Sequence, residues 1–537
     1  MVFWLDGVIK NSDNSIRKYK IKDSNGNVKD LASNQVKNLI RCGNTVEGLE
    51  IRNNRLLRVN KTVNYSNVGT KGNSGMRILS GAGLENFVYN HTAVGYRQRD
   101  FVDEIVNFCS RPAENRVMII HGIRRTGKTT SIIQSIHRLF TAGVPSADVA
   151  YLIITNDTVK MENIIDFLNN TTSKYIFIDE VTKISDFYNN AAILADYYAV
   201  FKHIILTGTD SFVFPAVTKT NLYGRAHMIH STTVSYREYT RVFNTVGNNP
   251  VDRYMSNGGS MLESEFYSES AIYKTLKSVV IDNIKHSIKV GIPVDSVLNK
   301  ITDEQAMYLI FNFVFMATMP KDNGSILGDR KALSQRVIDT LASISGASTE
   351  LTDYRTYNLP KGAAKAMLEA LYELDIIGHI YNVTEESDTI KKQNTIEVIA
   401  LIQALANEAL SYNSNTGKAT GFAFENMIIA NILMWNRGRV YNIGFAKYIE
   451  NKTQHEIDCV VQYVRDGVKH NICIEVKHSS EKDNSYTEHL NHHSLEMAIG
   501  YIDRKIVVYR GRTLCDNGVY FVNAHEFLIN MDKWLMI

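Results

Sequence analysis

The chain has 537 residues, 44% of them hydrophobic and 21% charged, and its formal net charge is +3. This composition is typical of folded globular protein and the length exceeds one ordinary domain, so a disordered or fibrous chain is excluded. The small net charge excludes a strongly basic nucleic-acid-binding field over the whole molecule.

The cysteines and the hydropathy of the sequence bear on where in the cell the protein is expected to be. The five cysteines are scattered and form no C-x-x-C pair, which argues against a disulfide framework and favours a reducing, cytoplasmic location. The first residues lack the basic start and long apolar run of a signal peptide. The most apolar run, residues 306–319, is shorter than the roughly 20 residues that cross a bilayer, so we predict no membrane partner.

Residues 1–68 are predicted to form a small strand-rich domain. Alternating segments turn at Asn-Gly and Asn-Asn, as β-hairpins do, and a short helix is expected over residues 33–40. Residues 1–70 hold seven Lys and five Arg against six acidic residues. A protein partner is the candidate ligand of this domain. The following residues, 69–90, begin with a Gly- and Ser-rich stretch and are predicted to be a linker.

The pattern then changes to apolar strands that alternate with amphipathic helices, over residues 91–245. The predicted strands are 116–121, 149–155, 174–180, 203–208 and 226–231. Such strands with helical crossovers predict a parallel sheet covered on both faces. A helical region follows over 246–330, a winged-helix-like domain over 331–405 and a second α/β domain over 406–537. The fold class is therefore α/β multidomain.

The segment "GIRRTGKTT" has the spacing of a phosphate-binding loop. Its predicted nucleotide-binding residues are Gly122, Thr126, Gly127, Lys128, Thr129 and Thr130. Glycines let the backbone approach phosphate, and the following helix offers unpaired N–H groups. Lys128 would reach the β- and γ-phosphates of ATP, and the Thr129 hydroxyl would hold Mg²⁺. A chance match in a turn is the alternative, and the preceding strand and following helix count against it.

Two further strands end in residues suited to the same site. Asp179 is predicted to hold Mg²⁺ and Glu180 to activate water. An ordinary helix cap is the alternative for this Asp-Glu pair, but its position downstream of the loop favours the functional interpretation. Thr207 or Thr209 is predicted to sense the γ-phosphate, with a plain turn residue as the alternative.

A second constellation lies near the carboxyl terminus, in two predicted strands joined by a hairpin. Glu475 and Lys477 are two residues apart and so share a face of their strand, and Asp458 precedes them on the first strand. Two carboxylates beside a lysine predict a metal-dependent phosphodiesterase site, with Asp458 and Glu475 binding Mg²⁺ and Lys477 orienting the attacking water. Glu425, on a predicted helix, and Glu456 are additional candidates. An E-x-K pair alone is common on solvated strands.

The segment "TEHLNHHSLEMA" is predicted to be one helix. It would present His489, His492 and His493 at positions i, i+3 and i+4. Metal ligation and a polar helix face near a phosphate groove are both open, and the polar face is favoured.

The chain contains, in this order, the segments "GIRRTGKTT", "YIFIDEV", "ILTGTDS", "LYGRAHMIHSTTVSYREY", "GFAFENMIIANIL", "HEIDCVV" and "CIEVKHSS". Together they resemble the prokaryotic AAA-type ATPases that carry a winged helix and a C-terminal PD-(D/E)XK restriction-endonuclease-like domain. The resemblance covers roughly residues 90–525 and implies an ATPase sheet of the additional-strand type. It also makes Arg225 a candidate contact to nucleotide in its own or a neighbouring subunit; a surface arginine is the alternative. The chain departs from the family at Thr233-Val234, where Pro-Leu is usual, and at Ile457, where proline is common.

Three functions are compatible with these patterns. The leading hypothesis is a homo-oligomeric ATPase that controls a nuclease-like, nucleic-acid-handling domain, with DNA favoured, in genome maintenance or defence against mobile DNA. The second is a nucleotide-dependent switch or scaffold whose nuclease-like domain binds without cutting. ATP-driven transport along DNA is weaker, because no basic tract or aromatic ladder is evident.

Overall fold

The structure, a computed structural model, contains two compact units, Met1–Gly72 and Asn73–Ile537. The residues it describes are 2–10, 16–22, 28–31, 45–47, 49–52, 55–58, 75–124, 126–209, 213–243, 249–259, 261, 297–302, 305, 306, 309, 363–383, 396–403 and 416–536. In the described ranges, no helix combines the length and the apolarity needed to span a bilayer.

The first unit is built from short strands. They are β1 (Val2–Lys10), β2 (Ile16–Lys22), β3 (Val28–Leu31), β4 (Thr45–Glu47), β5 (Leu49–Arg52) and β6 (Arg55–Arg58). One sheet has the order β3-β2-β1-β4, and β5 pairs with β6 separately. Both predicted hairpins are confirmed, because β2–β3 and β5–β6 pair antiparallel. The predicted helix over 33–40 lies outside the described residues.

The second unit begins with a six-stranded sheet, and its last five strands in chain order match the predicted ones to within one residue at each end. Its strands are β7 (Met76–Ser80), β8 (Val117–His121), β9 (Val149–Ile154), β10 (Tyr175–Asp179), β11 (His203–Gly208) and β12 (Ala226–His230). The order is β12-β8-β11-β10-β9-β7, and β8 to β12 are parallel as predicted. Alternate residues of each strand enter two separate apolar cores, one on each face. Burial on both faces explains the continuous apolar strands.

Helices connect and follow these strands. They are α1 (Gly81–Tyr89), α2 (Phe101–Ser110), α3 (Lys128–Thr141), α4 (Met161–Asn170), α5 (Phe187–Asn190), α6 (Val213–Lys219), α7 (Tyr236–Val242) and α8 (Pro250–Asn257). Single 3-10 turns lie at Thr92–Gly95, Ser146–Asp148, Val181–Lys183 and Leu298–Lys300, and a π-helical turn at Leu194–Tyr198.

The predicted linker over 69–90 is wrong in its described part. β7 pairs antiparallel with β9 as an outer strand of the sheet, and α1 sends Leu84 and Val88 into the core beneath it. Only Leu79 of β7 is buried. An edge strand that buries one side chain carries little hydrophobic pattern, so its Gly- and Ser-rich surroundings dominated the sequence signal.

The carboxyl-terminal half contains a larger mixed sheet. Its elements are α9 (Ala363–Glu373), β13 (Ile377–Asn382), β14 (Ile396–Ala400), α10 (Thr416–Trp435), β15 (Asn442–Glu450), β16 (Thr453–Arg465), β17 (Val468–Val476), α11 (His493–Ile499), β18 (Arg504–Tyr509), β19 (Leu514–Asp516), β20 (Val519–Asn523), α12 (Ala524–Ile529) and α13 (Met531–Leu535). The order is β14-β13-β15-β16-β17-β18-β20-β19.

This sheet contains strands from both sides of the predicted domain boundary between residues 405 and 406. β13 pairs antiparallel with β14 and parallel with β15, so the strands assigned to a winged-helix-like domain belong to the C-terminal sheet. The winged-helix segment before α9, residues 331–362, lies outside the described residues, as does most of the predicted helical region 246–330.

The helices α7 and α8 pack into the C-terminal core although they follow the first sheet in sequence. Tyr236, Tyr239 and Tyr254 are fully buried there with residues of α10, β15 and β16. The Tyr236 N–H donates to the Asn431 side-chain oxygen at 2.7 Å. Two helices that follow the first sheet in sequence are therefore part of the C-terminal apolar core.

A buried histidine ends β8. His121 is 1% exposed, its ring lies 4.3 Å from that of His230, and neither ring nitrogen has a hydrogen-bond partner among the described residues. Burial, and then the nearby His230 and Lys128, hold the pKa of His121 well below its usual range.

We expect His121→Phe to reduce the loss of folding stability that occurs as the pH falls below about 6.5. The folded pKa is lowered, so the unfolded chain takes up a proton that the folded chain rejects, and stability is lost as pH falls below about 6.5. This group contributes up to about 1.4 kcal/mol per pH unit. Apparent Tm values from pH 7.5 to pH 5 measure the effect. His227→Phe, at an exposed position of β12, is the control, and an unchanged loss of stability at acid pH in His121→Phe would contradict the assignment.

Candidate functional site

The loop between β8 and α3 requires glycine at both ends. Gly122 has φ 151° and Gly127 has φ 88°, values that disfavour residues with a Cβ. A Cβ at Gly122 would lie 2.3 Å from the Ser231 hydroxyl oxygen. The loop thus runs directly against the segment after β12, and its shape is that of a narrow cradle at the helix amino terminus, which suits an anion.

Lys128 lies inside this cradle. Its Nζ donates to the carbonyls of Gly122 and Ile123, both at 2.8 Å. Burial lowers the pKa of Lys128 to about 8, although Glu180 and Asp179 act in the opposite direction. A desolvated ammonium group gains strongly from an incoming anion, so the electrostatics fit a phosphate ligand.

The Asp179 carboxylate, at the end of β10, accepts hydrogen bonds from the hydroxyl groups of three side chains. Thr129 donates to its Oδ2 at 2.8 Å and Tyr151 to the same oxygen at 3.0 Å, while Thr207 donates to Oδ1. The Thr129 hydroxyl and the Asp179 carboxylate are oxygen ligands of the type that Mg²⁺ prefers. The donor set therefore fits the predicted metal.

Glu180 adopts a left-handed backbone conformation, with φ 61°, which is uncommon for a residue with a Cβ. Its N–H donates to the Thr207 hydroxyl at 3.3 Å, and its Oε2 accepts from Thr209 at 3.1 Å. The two candidate sensor threonines thus contact different members of the Asp-Glu pair: Thr207 the Asp179 carboxylate, and Thr209 the Glu180 carboxylate.

Seven of the predicted residues line one cavity of about 320 Å³, and Gly122, Asp179 and Thr207 are not among its lining residues. It is lined by Arg124, Thr126, Gly127, Lys128, Thr129, Thr130, Glu180, Lys183 and Thr209. Arg124 and Lys183 add positive charge, and the sequence motifs had not singled them out.

Arg225 does not lie at this cavity. It immediately precedes β12, and the start of β12 pairs with Val117, at the start of β8, whereas the loop follows the end of β8. The guanidinium forms an ion pair with Asp196 and donates to the Asn221 carbonyl at 2.9 Å. The predicted contact with nucleotide in its own subunit is therefore wrong, because the sheet separates them; contact with a neighbouring subunit stays a prediction.

Sequence reasoning missed Arg99, which lies in the loop before α2. It is 4% exposed and forms an ion pair with Glu238 of α7, with Nε 2.5 Å from Oε1. It also donates to the carbonyl of Thr126 in the phosphate loop at 2.8 Å and to that of Thr233 at 3.0 Å. No local motif marks this arginine, because its partners lie up to 139 residues away.

The carboxyl-terminal constellation also assembles. Asp458 lies within β16 and Glu475 within β17, and their residues are 5% and 1% exposed. Lys477 Nζ lies 3.2 Å from Glu475 Oε2 and 3.9 Å from Asp458 Oδ2. The Asp458 carboxylate accepts the Val476 N–H at 2.8 Å, which fixes its orientation. Two carboxylates and one ammonium group therefore meet at neighbouring strands.

The additional acidic candidates lie nearby. Glu425 is buried on α10, which packs against β17, and its neighbour Phe424 contacts the ring of His478 with centroids 5.2 Å apart. Glu456, two residues before Asp458, lies 3.8 Å from Lys447 Nζ on β15.

The predicted single histidine helix is wrong. His489 lies in a 3-10 turn, His489–Asn491, and α11 begins only at His493. His489 and His492 instead approach His455 of β16, which sequence reasoning did not select, and His493 is exposed. Burial first, and then His455 and Lys477, lower the pKa of His489, while Asp458 raises it. These histidines thus lie within electrostatic reach of the acidic site.

Comparison with known protein families finds a match over the part of the chain that forms β8 to β12 and the cavity beside them. The AAA domain profile matches residues 114–240, which include β8 to β12 and all the residues that line the cavity. This part of the chain is therefore an AAA-type ATPase domain. A domain of unknown function, DUF4143, matches residues 420–527, from α10 into α12.

Solved structures resemble the chain only distantly. A Walker-type ATPase of Pyrococcus abyssi is 13% identical, with 59% of this chain and 99% of that one covered and a TM-score of 0.30. The Aeropyrum pernix Orc1 protein in complex with DNA is 12% identical, with 61% and 96% covered and a TM-score of 0.21. C. elegans PCH-2 is 14% identical, with 56% and 76% covered and a TM-score of 0.22. No curated protein sequence matches.

We expect Glu180→Gln to separate ATP binding from hydrolysis. The amide keeps the size of the side chain but cannot accept a proton, so hydrolysis should slow about 100-fold or more while ATP affinity stays near that of the wild type. Lys128→Ala should lose binding. Fluorescent nucleotide titration and phosphate release measure the two steps. Glu162→Gln, exposed on α4, is the matched control, and wild-type hydrolysis by Glu180→Gln would exclude the role.

Breaking the Arg99–Glu238 pair should destabilise the chain strongly. Arg99→Met leaves a buried carboxylate without its cation, which typically costs about 3–5 kcal/mol. The double variant Arg99→Met/Glu238→Leu should be less destabilised than the sum of the single variants, because neither charge remains. Thermal unfolding measures this, with Arg97→Met at an exposed position as control. Additive effects would show that the two side chains act independently.

Proposed function

We propose that this protein is an ATP hydrolase whose nucleotide cycle controls a C-terminal nuclease-like domain that handles nucleic acid, with DNA as the preferred substrate. The observation that carries the nuclease part is the contact of Lys477 with both Glu475, at 3.2 Å, and Asp458, at 3.9 Å. Lysine beside paired carboxylates is suited to metal-dependent phosphodiester chemistry.

At the AAA domain, the chain's own residues divide the work of ATP hydrolysis. Lys128 would neutralise phosphate charge, and Thr129 and Asp179 would hold Mg²⁺. Glu180 would accept the proton of the attacking water. The Thr209 hydroxyl, which donates to Glu180 Oε2 at 3.1 Å, orients the Glu180 carboxylate. Bound ATP supplies the phosphoanhydride bond that is broken, and Mg²⁺ supplies positive charge at the phosphates.

At the C-terminal site, Asp458 and Glu475 would hold Mg²⁺ through carboxylate oxygens, with Glu425 as a further carboxylate on α10. The fit is favourable because both side chains are carboxylates and the one of Asp458 is oriented by the Val476 N–H at 2.8 Å. Lys477, half-exposed beside them, donates to the attacking water or to the phosphate. A metal bound there supplies Lewis-acid charge stabilisation.

Communication between the two sites follows a physical connection. Arg99 joins the Thr126 carbonyl of the phosphate loop to Glu238 of α7. On the same helix, Tyr236 hydrogen bonds to Asn431 of α10 and, through its hydroxyl, to the His525 ring at 2.6 Å. A shift of the loop on nucleotide binding would therefore move α7 against the C-terminal core.

The proposal includes assembly into a homo-oligomer in the cytoplasm. Arg225 lies next to the start of β12, at the opposite end of the strands from its own cavity. It would contact the nucleotide of a neighbouring subunit once its ion pair with Asp196 is released. The first unit would contact a protein partner. Genome maintenance and defence against mobile DNA are both compatible settings.

A nucleotide-dependent switch is the second candidate. The observation that favours it is the depth of the acidic site, where Asp458 and Glu475 are 5% and 1% exposed. Such burial suits a domain that binds nucleic acid or a protein without cleaving it.

A cleavage assay distinguishes these two functions. Plasmid, single-stranded DNA and RNA are incubated with the full chain and Mg²⁺ or Mn²⁺, with and without ATP. We expect the wild type to cut, Lys477→Ala to lose about 100-fold or more of the rate, and Lys128→Ala to lose the ATP response. Lys469→Ala, on the same strand β17, is the matched control. ATP hydrolysis without any cleavage would exclude the nuclease and leave the switch.

A further inference from the structure

Three imidazole rings converge beside the acidic site. His455 comes from β16, His489 from the 3-10 turn His489–Asn491 and His492 from the residue before α11. One ring nitrogen from each lies within 4.8 Å of the others. All three residues are half-buried. The convergence joins two separate segments of the chain and so is not a consequence of local helix periodicity.

The distances are close to those of a coordinated set. His455 Nδ1 and His489 Nδ1 are 3.0 Å apart. Tetrahedral zinc with Zn–N bonds of about 2.0–2.1 Å holds its nitrogen ligands about 3.3–3.4 Å apart. A shift of a few tenths of an ångström by these two half-buried rings is therefore sufficient for both to reach one ion.

Tyr448 of β15 holds the rings in position. Its hydroxyl lies 2.9 Å from His492 Nδ1 and donates to the His489 carbonyl at 2.7 Å. Its ring stacks on that of His455, with centroids 5.5 Å apart. A hydrogen bond at one nitrogen of a metal-binding histidine fixes the ring and leaves the other nitrogen for the metal, so Nε2 is the nitrogen of His492 that we assign as the ligand.

We propose that His455, His489 and His492 bind a divalent transition-metal ion, with Zn²⁺ preferred, through three neutral imidazoles. Nitrogen ligands select zinc and its first-row neighbours over Mg²⁺, which prefers the carboxylates of Asp458 and Glu475. The two metal classes are thus sorted between adjacent sites. Three protein ligands leave a fourth position open for water or a phosphate oxygen. This proposal does not depend on whether the acidic site cleaves nucleic acid.

The test is zinc binding by the untagged full-length chain after removal of metals. We expect about one equivalent of Zn²⁺ to bind tightly, and Co²⁺ in its place to give the visible absorption bands of a tetrahedral site. His455→Ala and His492→Ala should each weaken zinc binding by about 100-fold or more. His493→Ala, which removes an exposed histidine outside the cluster, should leave zinc binding unchanged.

Two further variants keep the outcome interpretable. Asp458→Asn should retain zinc, and zinc loss in it with retention in His455→Ala would move the ion to the acidic site and overturn the proposal. His489→Asn provides a less disruptive ligand loss, and ATP binding by each variant verifies that the chain is folded. A wild type that binds no more zinc than the His455→Ala/His492→Ala double variant would also overturn it.

Discussion

The buried ion pair between Arg99 and Glu238 links the phosphate loop to helix α7 within the second unit. A guanidinium group this deeply buried requires a carboxylate partner and satisfied donors, and here those requirements draw together the phosphate loop, the segment after β12 and α7. Because α7 is already part of the C-terminal core, the nucleotide loop and the second sheet are constrained by one set of contacts.

That arrangement differs from the usual image of domains connected by flexible segments. The tyrosines of α7 and α8 are fully buried against the C-terminal sheet, and Arg510 of that sheet region also pairs with Asp252 of α8 at 2.7 Å. Packed cores switch between discrete arrangements rather than deform smoothly. A large swing of the C-terminal sheet away from α7 and α8 would therefore have to expose those tyrosines.

The sequence predicts the parts of this molecule that are specified locally. The phosphate loop, Asp179 and the Asp458–Lys477 hairpin are each encoded within one strand and its adjoining turn, so their residue spacing carries the geometry. Arg99 and His455 could not be found in this way, because their partners are distant in sequence and only the tertiary fold brings them together. The linker prediction failed for a related reason: β7 is a strand by virtue of its pairing with β9, and pairing leaves little mark on composition.

The membership of β13 and β14 in the C-terminal sheet has a consequence for any attempt to produce that domain alone. A fragment that began at residue 406 would contain the DUF4143 match in full but would lack the strand that pairs with β15 at Gly444 and Phe445. Its β15 would then present unpaired backbone groups to solvent, a template for strand addition between molecules and for aggregation. A recombinant piece that keeps this strand pairing must therefore begin no later than β13, at Ile377, and one that keeps the whole C-terminal core must also contain α7 and α8.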